Sequence, residues 1–307
     1  MVMQGTETHT GIKKYLSLTR PHTLTAGFVP VLVGTASVLL FAPIRWDMFI
    51  AMMIATLLIQ SATNMFNEYF DFKRGLDSAE SVGIAGAIVR NGMSPRLVLN
   101  IAVMFYIIAG IIGIYISINS SLWILAIGAV SMAVGYLYTG GPFPISWTPF
   151  GEIFAGFFMG TVIIMITFFI HTDTLHYFPL LISIPVAITI GLLNMANNIR
   201  DRKKDKESGR KTFVILVGKP LAVMTTAALL AFCYVFIFWI AFFKPYGSIF
   251  LLLTFISIPL FVKTVRRMWK GDTPPELIPA MASMGKLNTA FGLLLTIGLV
   301  INGVTGI

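Results

Sequence analysis

Two ten-residue stretches carry the side chains best suited to chemistry. Asn64-Met65-Phe66-Asn67-Glu68-Tyr69-Phe70-Asp71-Phe72-Lys73 and Asn194-Met195-Ala196-Asn197-Asn198-Ile199-Arg200-Asp201-Arg202-Lys203 both read N-M-x-N-x-x-x-D-x-K and stand 130 residues apart. On a helix, positions i, i+3/i+4 and i+7 share a face. Asn64, Asn67/Glu68 and Asp71 then form one polar stripe, and Asn194, Asn197/Asn198, Asp201 and Asp205 form a second. Donors that are all carboxylate and amide oxygens suit a hard cation. Mg²⁺ takes a few carboxylates and fills its shell with phosphate oxygens and water. Cations crowd the same segments (Lys73, Arg74, Arg90, Arg200, Arg210 and Lys211), and they complement a phosphate. Seven of the thirteen acidic residues, Glu68, Asp71, Asp77, Glu80, Asp201, Asp205 and Glu207, also fall there. Loop solvation does not explain a spaced duplicate, so the stripes are read as two halves of one Mg²⁺–phosphate site.

The elements that must position these stripes are membrane helices. The chain has 307 residues, is 56% hydrophobic and only 11% charged, and has a mean hydropathy of +0.84. A soluble domain carries about 25% charged residues, so this chain cannot cover a globule of its size with polar surface. A span needs roughly 20 apolar residues. Nine candidates occur, at 22–42, 47–66, 97–118, 121–138, 151–171, 177–197, 220–242, 247–266 and 287–305, with Pro30, Pro185 and Pro259 inside spans as expected kinks. The first apolar run is full length, so it reads as a retained span rather than a cleaved leader. With a cytoplasmic N-terminus, 20 of the 22 Lys and Arg residues fall on the cytoplasmic side; only Arg45 and Lys244 lie opposite. That asymmetry sets orientation and places both motifs at the cytoplasmic face of a multi-pass cell-membrane protein.

Several classes drop out. The net charge of +9 reads as topology signal and as partner for anionic lipid or phosphate, not as a nucleic-acid footprint. The one cysteine, Cys233, permits no disulfide framework, and the four histidines have no zinc-like spacing. A transporter places ionisable groups near the bilayer midplane, whereas here the acids cluster at one face. The duplicated motif suggests a single all-α domain over 1–307, built as a pseudo-symmetric bundle from two related halves.

At these residues the sequence resembles the UbiA superfamily of intramembrane prenyltransferases. The likeness covers nearly the whole chain and includes residues 19–24, 64–77, 138–142, 150–152 and 197–212, and within the superfamily it is strongest to the branch that acts on 1,4-dihydroxy-2-naphthoate in menaquinone biosynthesis. It implies nine transmembrane helices around a central cavity open to the membrane. It further implies a Mg²⁺-dependent transfer of a polyprenyl group from polyprenyl diphosphate to 1,4-dihydroxy-2-naphthoate, with loss of CO₂ and diphosphate. The alternative acceptor is 4-hydroxybenzoate. The metal ligands implied are Asn67, Glu68, Asp71, Asn198, Asp201 and Asp205. The diphosphate partners are Asn64, Lys73, Arg74, Arg90, Asn194, Arg200, Arg210 and Lys211. Tyr69 and Tyr138 are expected near the reacting carbon, where electron-rich rings stabilise an allylic cation. Glu152 is expected to orient or deprotonate an acceptor hydroxyl, and Arg20 and His22 to meet the acceptor carboxylate. The family's first motif usually has Asp where Glu68 stands, so Glu68→Asp is expected to be mild.

Overall fold

A computed structural model describes residues 12–20, 23–77 and 86–306 of the chain. His22 and Glu80 lie outside these residues. Among the described residues there are helices and no strands. A short interfacial turn, α1 (Ile12–Leu18), precedes nine apolar rods. These are α2 (Thr25–Val38), α3 (Trp46–Lys73), α4 (Pro95–Ile118), α5 (Trp123–Leu137), α6 (Gly151–Thr172), α7 (Tyr177–Glu207), α9 (Lys219–Ala241), α10 (Ile249–Lys270) and α11 (Pro274–Thr305). Between α7 and α9 lies the short α8 (Phe213–Val217). Seven of the rods are long and apolar enough to cross a bilayer; α2 and α5 are shorter. The rods match the nine expected spans one for one.

Length explains where the motifs sit. A hydrocarbon core is about 30 Å thick and a helix rises 1.5 Å per residue. The 28 residues of α3 and the 31 of α7 overshoot that thickness by about two and about three turns respectively. The surplus is their C-terminal ends, which hold the two Asn/Asp stripes.

Several boundaries differ from the sequence reading: α3 and α7 run on to Lys73 and Glu207, past the expected span ends at 66 and 197. The first rod starts at Thr25 rather than 22. The last starts at Pro274, so the segment expected as a loop before 287 is helical. Its start is set by a capping box between Thr273 and Glu276 with Pro in the first turn, a strong helix-initiating combination. Pro259 does not kink a helix interior. It stands in the first turn of the α-helical half of α10, Ile258–Lys270, where a 3₁₀ segment, Ile249–Ser257, hands over.

Packing brings α3 against α4, α11 against α2 and the first half of α10, and α7 against the middle of α6. The α6–α7 contact is unusually close. Gly156 and Gly160 lie on a π-helical turn of α6, and a Cβ on either would come within 2.4–2.5 Å of Ala187 on α7. This small-xxx-small pairing lets two backbones meet where lipid supplies no hydrophobic drive. Phe178, Ile182, Ile237, Phe291 and Leu295 fill the adjoining core, together with the buried Cys233.

Candidate active site

An apolar cavity of about 570 Å³ runs up the bundle. On α3 it is lined from Met52 to Asn67, a run of about 22 Å at 1.5 Å per residue. The α4–α5 wall is thin, because Gly110, Gly113 and Gly128 line the cavity and a Cβ on any of them would touch nothing. The polar end carries Arg20, Asn64, Asn67, Tyr138, Asn194 and Asn197. The cavity therefore joins a long greasy trough to both motifs.

The motifs meet through Arg210. Its guanidinium lies 3.0 Å from Asp71 Oδ1 and 3.2 Å from Asp205 Oδ1 and rests on the Trp147 ring, 5.7 Å from its centroid. A second tie, Lys204 to Asp77 at 3.4 Å, also joins the two segments. So Asp71 of the first repeat converges with Asp205, four residues beyond the repeated Asp201, and a positive charge already stands between them. That placement, with an oxygen-only donor set, fits a divalent hard cation. Among the described residues no three acidic, His or Cys groups form a cluster able to hold a metal alone. Lys73 and Lys211 are exposed at the same mouth.

The second motif also braces Tyr138 and Glu152 beside the polar end. Asn194 Nδ2 donates to the Tyr138 hydroxyl at 2.6 Å, and one turn later Asn198 Nδ2 donates to Glu152 Oε1 at 2.8 Å. The Tyr138 hydroxyl in turn donates to the Gly151 carbonyl at 3.4 Å. Glu152 is buried, and its Oε2 has no partner among the described residues. An acid so placed is costly unless something polar arrives beside it.

Four expected roles are corrected by the contacts. Glu68 is expected to bind metal, but its carboxylate is fully engaged by protein. Oε2 pairs with Arg20 at 3.0 Å, and Oε1 accepts from the backbone N–H of Gly86 and Ile88 at 2.9 and 3.2 Å. The extra methylene that distinguishes it from Asp gives it that reach. Arg74 is expected on diphosphate; its guanidinium instead donates to the carbonyls of Thr139 and Gly141 and packs against Phe70 and Trp147. Arg200 makes a bidentate pair with Asp201 and touches Met281 Sδ on α11, so it is buried away from the mouth. Tyr69 does not line the cavity. Its ring packs on Phe70, with Lys73 Nζ 6.0 Å from its centroid.

The remaining expected residues are accounted for as follows. Asn64 lines the cavity and donates to the Thr19 carbonyl and the Thr23 hydroxyl. Arg90 folds over Gly86, where a Cβ would sit 2.1 Å from its Nε. Arg20 lines the cavity in a left-handed backbone conformation, φ +49°, held there by Glu68. Two functional positions escaped the sequence reading. Gln60 lines the cavity one turn before Asn64, and a lone amide inside an apolar span was the available signal. Trp147 carries both Arg74 and Arg210 on its ring, and nothing in its local sequence marks it.

Comparison with known proteins adds four findings. A model of the UbiA prenyltransferase family matches residues 27–296. The chain is 50% identical to the 1,4-dihydroxy-2-naphthoate octaprenyltransferase of Bacillus subtilis, covering 93% of this chain and 91% of that protein. It is 28% identical to the enzyme of the same name from Mycobacterium tuberculosis, over 89% and 91% of the two chains. Among solved structures, a UbiA homolog from Archaeoglobus fulgidus bound to DMAPP and Mg²⁺ superposes with a TM-score of 0.62 at 16% identity, covering 94% of this chain and 99% of that one.

Proposed function

Since the chain belongs to the UbiA prenyltransferase family, we propose that it transfers a polyprenyl group from polyprenyl diphosphate to 1,4-dihydroxy-2-naphthoate, working at the cytoplasmic mouth of the cavity. The observation that carries this reading is the polar end of the apolar trough: Asn64 and Asn67 of the first motif and Asn194 and Asn197 of the second line it, and one turn beyond Asn67, Arg210 joins Asp71 to Asp205. A donor with an apolar tail and a charged head has the same two-part form.

The tail lies along α3, against the glycines of α4 and α5. Asn67, Asp71, Asn198 and Asp205 are the residues to hold Mg²⁺, joined by Asp201 once its bidentate pair with Arg200 opens, with Lys73, Arg210 and Lys211 on the diphosphate oxygens. Bound Mg²⁺ offsets the charge that develops as diphosphate departs. The protein's own cations do the same from fixed positions, which costs no reorganisation at the moment of reaction. The apolar walls exclude water, so the allylic carbon is attacked by the acceptor ring and not hydrolysed. Tyr138, held by Asn194 and Gly151, presents its ring at the cavity's polar end. Glu152 faces an acceptor hydroxyl, and Arg20 meets the acceptor carboxylate.

The bond changes balance without an added base. The ring carbon bearing the carboxylate bonds to prenyl C1 as the C1–O bond to diphosphate breaks. The carboxylate's bonding pair then returns to the ring as CO₂ leaves, restoring aromaticity and giving the prenylated quinol. Glu152 therefore needs only to orient the hydroxyl. The test uses membranes, Mg²⁺, polyprenyl diphosphate and carboxyl-labelled 1,4-dihydroxy-2-naphthoate. Labelled CO₂ and an unlabelled prenylated product are expected. Label retained in the product, or faster turnover of 4-hydroxybenzoate, would move the protein to another branch of the family.

A further inference from the structure

We propose that a groove between the end of α10 and the first turns of α11 is a binding site for the headgroup of an anionic glycerophospholipid. Ile258, Pro259 and Val262 line one end of the groove, and Lys263, Arg266 and Lys270 line the other. The groove shares no residue with the prenyl cavity.

The cations are arranged, not scattered. Positions 263, 266 and 270 are separated by three and four residues and so share one face of α10. Thr264 and Met268, on the other side, are buried. Lys263, Arg266 and Lys270 are exposed and have no ion-pair or hydrogen-bond partner among the described residues. The nearby acids are committed elsewhere. The Glu276 carboxylate closes the start of α11, accepting from the backbone N–H of Asp272 at 2.8 Å and of Thr273 at 3.3 Å. Asp272 is drawn to Arg202, Lys203 and Lys219, and Arg202 and Lys203 hold its carboxyl below the usual carboxylate range. Arg267 also lines the groove, but it donates to the Pro279 carbonyl and the Ser283 hydroxyl and so braces α10 against α11.

A bias of positive residues toward one side of the membrane accounts for the side these cations occupy. It does not account for three unpaired cations on one face of a groove. The order along α10 matches a phospholipid. Apolar Ile258–Val262 leads toward the membrane interior, where Ile256 is 65% exposed, and the cations follow within two turns. Trp269, 56% exposed, stands beside them at the depth where amphipathic rings mark the interface. Basic pockets of this type between helices hold anionic headgroups.

The test uses the full-length protein in nanodiscs of equimolar phosphatidylglycerol and phosphatidylcholine, with co-purifying lipid measured by native mass spectrometry. The wild type is expected to retain phosphatidylglycerol over phosphatidylcholine. Neutralising Lys263, Arg266 and Lys270 together to Gln should weaken retention by about fivefold per cation removed. Val262→Trp keeps every charge and fills the apolar end, and it too should lose the lipid; it decides the matter if the triple variant fails to accumulate. Equal retention of both lipids by the wild type overturns the proposal. So does full retention by either variant, or displacement of the lipid by inorganic phosphate, which would mark a soluble-anion site. None of these readouts requires prenyl transfer, so the groove and the proposed activity stand or fall separately.

Discussion

At the scale of single residues, Glu68 has the most specific role. One side chain binds three partners: the Arg20 guanidinium and the N–H groups of Gly86 and Ile88. Those partners come from the segment before α2 and the loop before α4, so Glu68 fastens both to the first motif. It also holds Arg20, with φ +49°, in a region that non-glycine residues seldom occupy. Read as a metal ligand, Glu68→Asp would be a mild change. The contacts reverse that expectation. Asp is one methylene shorter and cannot reach all three partners, and a buried hydrogen bond to a charged group is worth about 1.5–3 kcal/mol. Glu68→Asp should therefore lower the melting temperature in detergent and weaken acceptor binding through Arg20, with Mg²⁺ dependence unchanged. An unaltered melt combined with a shifted Mg²⁺ requirement would return Glu68 to the metal site. The sequence motif placed this carboxylate correctly on the polar stripe. What it could not supply was the course of the loop that comes back to meet it.

At the scale of elements, the α6–α7 contact sets the wall that we assign to the acceptor. Glu152 begins α6 and Asn198 lies on α7, and their 2.8 Å bond depends on how closely the two helices approach. Gly160 permits that approach, since a Cβ there would be 2.5 Å from Ala187 Cα and 2.8 Å from its backbone nitrogen. The obstruction is backbone, which cannot swing aside. Gly160→Ala should cost about 1–3 kcal/mol and push Glu152 away from Asn198. The kinetic signature expected is a KM raised more for the aromatic acceptor than for the donor, because α6 gives the trough one wall, with Phe158, Met159 and Val162, while the wall along α3 to α5 is untouched. Equal effects on both substrates would count against this division of the site. The nine rods were legible from hydropathy alone, because a run of about 20 apolar residues has few other uses. The helical start at Pro274 was not, because residues 274–286 carry too little periodic apolarity to stand out, and the capping box that starts them is a local polar signal. The roles of Arg74 and Arg200 were likewise hidden. A cation beside an acidic motif looks the same in sequence whether it faces a phosphate or a neighbouring carbonyl.

At the scale of the whole molecule, topology and site geometry constrain each other. The chain crosses from the first motif to the second through α4, α5, α6 and α7. An even number of crossings returns it to the side it left, and only then can Arg210 reach both Asp71 and Asp205 and Lys204 reach Asp77. An odd count would set the motifs a membrane thickness apart, about 30 Å, far beyond any side chain. We propose that this side is the cytoplasmic one, because the span order assigns 20 of the 22 Lys and Arg residues to it and such residues favour the cytoplasm. Reporters fused after Asp77 and after Lys206 should therefore both read cytoplasmic, and one fused after Thr305, beyond the ninth rod, should read external. Opposite readings after Asp77 and Lys206 would contradict the joined site as well as the span count. Two external readings would leave the site intact and invert the protein, placing its donor and acceptor on the other face of the membrane.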